Sequence, residues 1–318
     1  MTQPYPGRVR PSYMPQPGDR QTGDSPPQRD SLVTPPAQPY LRAVPDREYE
    51  RPPGVPHPDS RAELEHHRFQ ARLDSTAPRV PWDVFTKFFD WEQGQHVAVI
   101  GPNGQGKTTL LISLLPFRRY VTVFATKPVD RTLDSLAASG YDVYEEWLRV
   151  PAEKSPRRIL WPNARDIDSE NTQREVFERA FQSIYREGGW TLTIDEGWFL
   201  SEVLDQKRRM RTMWTQGRSL GISFVVGTQR PAWVPMEMYD ESTHLFIFRL
   251  TEKAAVDRVA NLGQADADFA RKCIRTLEKH QCLYVNTRTG EMLRTRAPAP
   301  QYKANDDAPE KDEEVNNT

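Results

Sequence analysis

The residues best placed to do chemistry lie together in Gly101-Pro102-Asn103-Gly104-Gln105-Gly106-Lys107-Thr108-Thr109. An apolar run, His96-Val97-Ala98-Val99-Ile100, leads straight into this GxxxxGKT pattern, and a leucine-rich stretch (Leu110, Leu111, Ile112, Leu114, Leu115) follows it. Strand, glycine loop and helix in that order are the setting in which such a loop cradles phosphate. Glycines let the backbone curl so that several N–H groups converge on one anion, and the helix N-terminus adds partial positive charge. Lys107 can then reach the β- and γ-phosphates of ATP, and the Thr108 hydroxyl can ligate Mg²⁺. Residues 101–109 are the candidate nucleotide-binding segment.

A second signal is Thr191-Leu192-Thr193-Ile194-Asp195-Glu196, a short apolar strand ending in two acids. Asp195 would hold Mg²⁺ directly or through water, and Glu196 would orient and deprotonate the attacking water. An acid directly after the metal ligand suits a hydrolase, whereas a phosphotransferase must exclude water from that spot. The third signal is Ile222-Ser223-Phe224-Val225-Val226-Gly227-Thr228-Gln229-Arg230-Pro231. A strand ending in Gln229 beside the phosphate strand could sense the γ-phosphate and transmit its loss. The fourth is basic: Lys207, Arg208, Arg209, Arg211 and Arg218, with Trp214 between. Such a run reads first as a solvated helix face. An arginine here could also reach a neighbouring subunit's γ-phosphate, an effect worth about 10³–10⁵ in rate. Arg218 is the first choice for that finger and Arg211 the second, while the other basic residues could line a nucleic-acid channel.

The elements that must position these groups alternate between strands and helices. Strands are expected at 96–100, 120–125, 190–194, 222–227 and 244–248, as short Val-, Ile- and Phe-rich runs of the kind buried on both faces of a parallel sheet. Over 172–188, Val176, Phe177, Ala180, Phe181, Ile184 and Tyr185 form one helical stripe, with a Thr172/Glu175 capping box predicted at its start and Gly188-Gly189 at its end. Further helices are expected over 252–261 and 265–279. Cys282 to Thr295, centred on Asn286-Thr287-Arg288-Thr289-Gly290, reads as a closing β-hairpin. The pattern predicts an α/β fold: an open, doubly wound sheet carrying its ligand beyond the strand C-termini.

Fifteen of the 28 prolines fall in the first 60 residues, among Gln, Ser, Asp and Arg. That segment lacks the apolar surface to offset its ordering entropy, so 1–60 is expected to be a disordered proline-rich arm. Residues 61–79 read as a polar helical connector, 80–297 as the folded domain and 298–318 as an acidic disordered tail. The net charge of −1 neither favours nor excludes nucleic acid. Cys273 and Cys282 fit neither a zinc site nor a redox pair and read as buried thiols. With no long apolar run and no signal-peptide pattern, no membrane span and a cytoplasmic location are expected.

The stretch Arg218-Ser219-Leu220-Gly221-Ile222 leading to Gly227-Thr228-Gln229-Arg230-Pro231 resembles the R-x-x-G-I…TQRP stretch of the FtsK/HerA superfamily of DNA-pumping ATPases. The lead-in Trp82-Asp83-Val84-Phe85 through Gly94-Gln95-His96 is similar in style to HerA-like members, and the resemblance covers about residues 80–297. It implies a RecA-like P-loop NTPase fold, a homo-oligomeric ring (a hexamer), ATP hydrolysis at subunit interfaces and translocation of double-stranded DNA. Lys107 and Thr108 match the family's Walker A motif, Asp195 and Glu196 its Walker B, Gln229 its sensor, and Arg218 its arginine before the glycine. The chain departs from FtsK in carrying no membrane helices and no winged helix after residue 297, and from HerA in lacking a barrel domain. A compact motor of this kind is closer to viral genome-packaging or conjugation ATPases, with the arm as a site for a protein partner. An ABC-type ATPase shares the style of the phosphate loop. It needs an LSGGQ-type loop, however, and the interval 110–194 has only Gly140, Gly188 and Gly189. A P-loop switch or scaffold protein is the other alternative.

Overall fold

The computed structural model describes residues 76–162, 166, 169–261 and 266–298, with Glu65, His67 and Arg68 ahead of them. The expected arm over 1–60, most of the connector and the tail from 299 lie outside the described residues. Among the described residues, seven strands run parallel: β1 (His96–Ile100), β2 (Val121–Phe124), β3 (Asp142–Tyr144), β4 (Arg157–Leu160), β5 (Thr191–Ile194), β6 (Ser223–Thr228) and β7 (Ser242–Phe248). Two more, β8 (Cys282–Asn286) and β9 (Met292–Thr295), add antiparallel at one edge, giving the order β3-β4-β2-β5-β6-β1-β7-β8-β9. The phosphate strand β1 is central, and β6 separates it from β5, the strand that ends in the acids. This is the RecA-like P-loop NTPase arrangement, with the β8–β9 hairpin closing the sheet.

The helices are α1 (Trp82–Phe88), α2 (Lys107–Leu114), α3 (Arg131–Ala138), α4 (Glu170–Glu187), α5 (Lys207–Gln216), the single turn α6 (Glu237–Asp240), α7 (Lys253–Ala260) and α8 (Ala267–Thr276). Every residue of β1, β6 and β7 is buried, because helices cover both faces of the sheet. Successive side chains on β1 point to opposite faces. Ala98 and Ile100 join a core with α4, α5, α7 and α8, while Val97 and Val99 join one with α1 and α2. The second core is aromatic: Phe85, Phe89, Phe246 and Tyr284 meet at centroid distances of 5.0–5.9 Å. His96 at the start of β1 bonds the Trp214 carbonyl (3.0 Å) and accepts from the Phe224 N–H (3.0 Å), tying β1 to α5 and β6. Burial pushes its pKa down to about 4, so the ring is neutral.

Three features differ from expectation. The long helix starts at Glu170, with Ser169 at its N-cap and no side-chain cap bond, so the Thr172/Glu175 capping box is not formed. Thr172 is already inside the helix, and Glu175 turns to Arg179 one turn on (3.4 Å). The strands β3 and β4 and the helix α3 were not anticipated. β3 is an exposed edge strand, and β4 opens with two arginines that mask its apolar end. Arg158 is nevertheless buried, its guanidinium stacked over Trp190 (4.6 Å) and Trp147 (5.3 Å). The third is the lead-in, in which Trp82–Phe88 forms helix α1. The Cys282–Thr295 hairpin forms as expected, with the Asn286 side chain accepting from the N–H groups of Arg288 (3.0 Å) and Thr289 (3.2 Å). Both cysteines are free and buried. No described helix is long and apolar enough to cross a membrane.

The tight packing of β6 against β5 carries a prediction. A Cβ on Gly227 would sit 2.5 Å from the Asp195 carbonyl oxygen and 3.1 Å from Leu111 Cδ1. Gly227→Ala is expected to destabilise the fold by about 1–3 kcal/mol, read as a lower denaturant midpoint in equilibrium unfolding.

Candidate active site

The loop after β1 is fastened at its start, where the Gly101 N–H donates to the Thr228 carbonyl at the end of β6 (3.1 Å). Gly104 (φ +72°) and Gly106 (φ +100°) take left-handed backbone conformations that a side chain would strain, and these turn the loop back into α2. Lys107 opens α2 and is buried, 7% exposed, with Nζ donating to the Pro102 carbonyl (3.2 Å). Burial pulls its pKa down, opposed by the nearby carboxylates of Asp195 and Glu196.

Thr108, one residue on, reaches across to the end of β5. Its hydroxyl lies 3.0 Å from each carboxylate oxygen of Asp195. Glu196 follows, and burial pushes its carboxyl up to about 7 despite the pull of Lys107. The Gln229 N–H, at the end of β6, points at Glu196 Oε1 (3.5 Å). The two motifs that the sequence separates by most of a domain therefore share one site. It is a cleft of about 860 Å³ that also takes in Asn103, Thr126, Trp198 and His280. That size is ample for a nucleotide.

One site residue went unread in the sequence. Lys127, just past β2, ion-pairs with Asp195 (2.9 Å) and stands 3.6 Å from Asp130, the residue whose side chain caps α3. Burial opposes the charge on Lys127, but the two carboxylates more than offset it and hold its pKa above the usual lysine value. The available signal was positional. Lys127 lies two residues past a strand expected in the same parallel sheet, so it emerges at the same edge as Asp195.

The arginines do not join this cleft in their own subunit. Arg211, on α5, pairs with Glu237 (2.6 Å). Arg218 is exposed in the turn Gly217–Leu220 that precedes β6, hence at the edge where the parallel strands begin. The cleft lies at the opposite edge. Arg230, following Gln229, stacks on Trp198 (4.5 Å) and Trp233 (5.5 Å).

The donors offered to a metal are the Thr108 hydroxyl and the Asp195 carboxylate, both hard oxygen ligands. Among the described residues no cluster of three or more His, Cys, Asp or Glu could hold a metal by itself. That set fits Mg²⁺, which keeps water and phosphate ligands and asks little of the protein.

No family model matches the sequence. The DNA packaging ATPase P9 of Enterobacteria phage PRD1 is 23% identical over 181 residues, which is 56% of this chain and 73% of P9. Among solved structures, B204, the DNA-packaging ATPase from Sulfolobus turreted icosahedral virus, matches with a TM-score of 0.48 at 15% identity, over 65% of this chain and 100% of B204. EssC (ATPases 2 and 3) from Geobacillus thermodenitrificans matches with a TM-score of 0.42 at 12% identity, over 67% of this chain and 42% of that one. Both Walker motifs meet at one sheet edge, with the Arg-x-x-Gly…Thr-Gln-Arg-Pro stretch running into the strand between them, and the chain is similar in sequence to a phage DNA-packaging ATPase.

Proposed function

We propose that the protein hydrolyses ATP to drive double-stranded DNA through a ring of its own copies, as a genome-packaging motor. The observation that carries the ATP half is the contact of Thr108 with Asp195, with the raised Glu196 carboxyl beside it. The DNA half is supported by the DNA-packaging role of the phage relative, together with the TQRP stretch.

In this reading the loop N–H groups and Lys107 hold the β- and γ-phosphates, and Thr108 with Asp195 hold Mg²⁺. When bound, the ion neutralises charge building on the phosphate oxygens. Glu196 takes a proton from the attacking water. Gln229, whose N–H already points at Glu196, links the state of that carboxylate to β6 and the following loop. Lys127 steadies the Asp195 carboxylate until nucleotide arrives. Arg218 acts in trans. It is exposed at the edge away from its own cleft, where a neighbouring copy in a hexameric ring could present its nucleotide. Arg211, engaged with Glu237, is the weaker choice. The arm over 1–60 is read as a tether for a protein partner.

Lys107→Ala should abolish nucleotide binding or turnover, and Glu196→Gln should bind ATP without hydrolysing it, measured by nucleotide titration and phosphate release. Because Glu196 must be ionised to act as base, wild-type turnover should rise with pH through about 7 and level off above it. A carboxyl whose folded pKa lies above its unfolded value adds stability below about 4.5 and loses it as pH rises to about 7. Glu196→Gln should therefore be more stable than wild type at pH 8, by up to about 3 kcal/mol, with the gap closing near pH 4 in chemical unfolding. Linear duplex DNA should stimulate the ATPase, and Arg218→Ala doped into wild type should poison it more than in proportion. An unstimulated rate, or simple additivity in mixtures, would remove the motor reading.

A further inference from the structure

The residues given roles so far would hold a triphosphate, and none of those roles reaches the nucleoside. The polarity of the cleft says where that half must lie. Asp195 and Glu196 mark the γ end, because the water must attack there. Three rings line the cleft, Trp198, Phe199 and His280. Trp198 and Phe199 come two and three residues after Glu196, on the β5 side of β1, whereas His280 leads into β8, on the other side of β1. The base, at the other end of the triphosphate, is left with His280.

His280 sits in the tight turn between α8 and β8. The turn is closed by the Gln281 N–H on the Glu278 carbonyl (3.1 Å) and by the Gln281 side chain, which accepts from the Glu278 N–H (3.3 Å). Glu278 is itself pinned by Arg296 (2.9 Å). Within this turn His280 takes φ +64°, one of two non-glycine residues with positive φ among those described. A Cβ-bearing residue is strained there, and such strain persists where the surroundings hold it and gathers at ligand sites. The side chain is exposed, so no core contact calls for a histidine. Its ring is nonetheless laid against the phosphate loop, with Nδ1 only 3.4 Å from where a Cβ on Gly106 would stand.

We propose that the His280 ring is the platform on which the base of the nucleoside triphosphate stacks. The proposal rests on the nucleotide reading of the cleft and adds the part of the ligand that the phosphate loop does not see. An aromatic face accepts any base, so the class of ligand is a nucleoside triphosphate with its π-face on imidazole; stacking of this kind is sequence-tolerant.

The test uses the full chain and two competitors against a fluorescent ATP analogue: ATP and inorganic tripolyphosphate. His280→Ala should weaken ATP by about tenfold and leave tripolyphosphate unchanged, since stacking on an aromatic ring is worth about one such factor. His280→Phe should restore ATP. His280→Gly, which relieves the positive φ, should raise the melting temperature while losing the same ATP affinity, so a loss through misfolding is told apart. Unchanged ATP affinity in the Ala and Gly variants overturns the proposal. So does an equal loss for both competitors, which would mean that the turn only props the phosphate loop. Wild type binding tripolyphosphate as tightly as ATP would overturn this proposal alone and leave the phosphate reading standing. Binding neither would sink both.

Discussion

The site exists because β6 lies between β1 and β5 and all three run the same way. Their registers place Ile100 opposite Thr228 and Ile194 opposite Val226, so the three strands end within a residue or two of one another. The phosphate loop, the acidic pair and Gln229 then emerge along one edge. Thr108 can meet Asp195 only under that constraint. Side chains alternate along a strand, so a one-residue slip of β5 would turn its apolar set to the wrong face. The absence of a side chain at Gly227, against the Asp195 carbonyl, keeps the two strands close enough at the point where it matters.

That edge is also where the fold gathers charge into partly buried space. Lys107 and Lys127 face Asp195 and Glu196, two of each sign, so the set is close to neutral as a group. The balance is uneven inside it. Asp195 has the Thr108 hydroxyl and Lys127, while Glu196 has only the Gln229 N–H at 3.5 Å. Burial pushes Glu196 toward neutrality. A group that shares a proton with water near pH 7 is suited to act as a base, and the same feature makes it a source of instability. The surrounding cores, with the Phe85–Phe89–Phe246–Tyr284 cluster on one face and the Phe124–Phe177 stack (4.7 Å) on the other, hold the strands rigid enough to keep that unfavourable charge in place.

The motifs were legible because each is a local pattern with a local cause. Gly104 and Gly106 were expected to curl the loop, and they carry its positive φ angles. Short apolar runs ending in Asp195-Glu196 and Thr228-Gln229 are β5 and β6, and the Asn286–Gly290 turn closes its hairpin. What escaped had no local pattern. β4 opens on arginines, one of which is buried because Trp190 and Trp147 stack on it and the Ser155 and Val150 carbonyls accept from it. The Thr172/Glu175 pair has capping-box spacing, yet the helix begins two residues earlier, where Ser169 and the buried Gln173 hydrogen-bond each other (3.1 Å). A different local pair, starting three residues earlier, outranked the predicted box there. Arg218 was singled out by type and neighbours, although its place just before an expected parallel strand already put it at the edge away from the cleft.

By itself the amino-acid sequence determined the parts: a loop able to hold phosphate, two acids at the end of a strand, and an α/β chain to carry them. It could do so because glycine conformations and apolar periodicity act over a few residues. Only the tertiary structure decided that Lys127 pairs with Asp195, that Arg211 turns to Glu237, and that His280 leans on the phosphate loop. Each of those depends on which strands become neighbours and which ends they share, and that order is set by the burial of whole faces against helices distant in the chain.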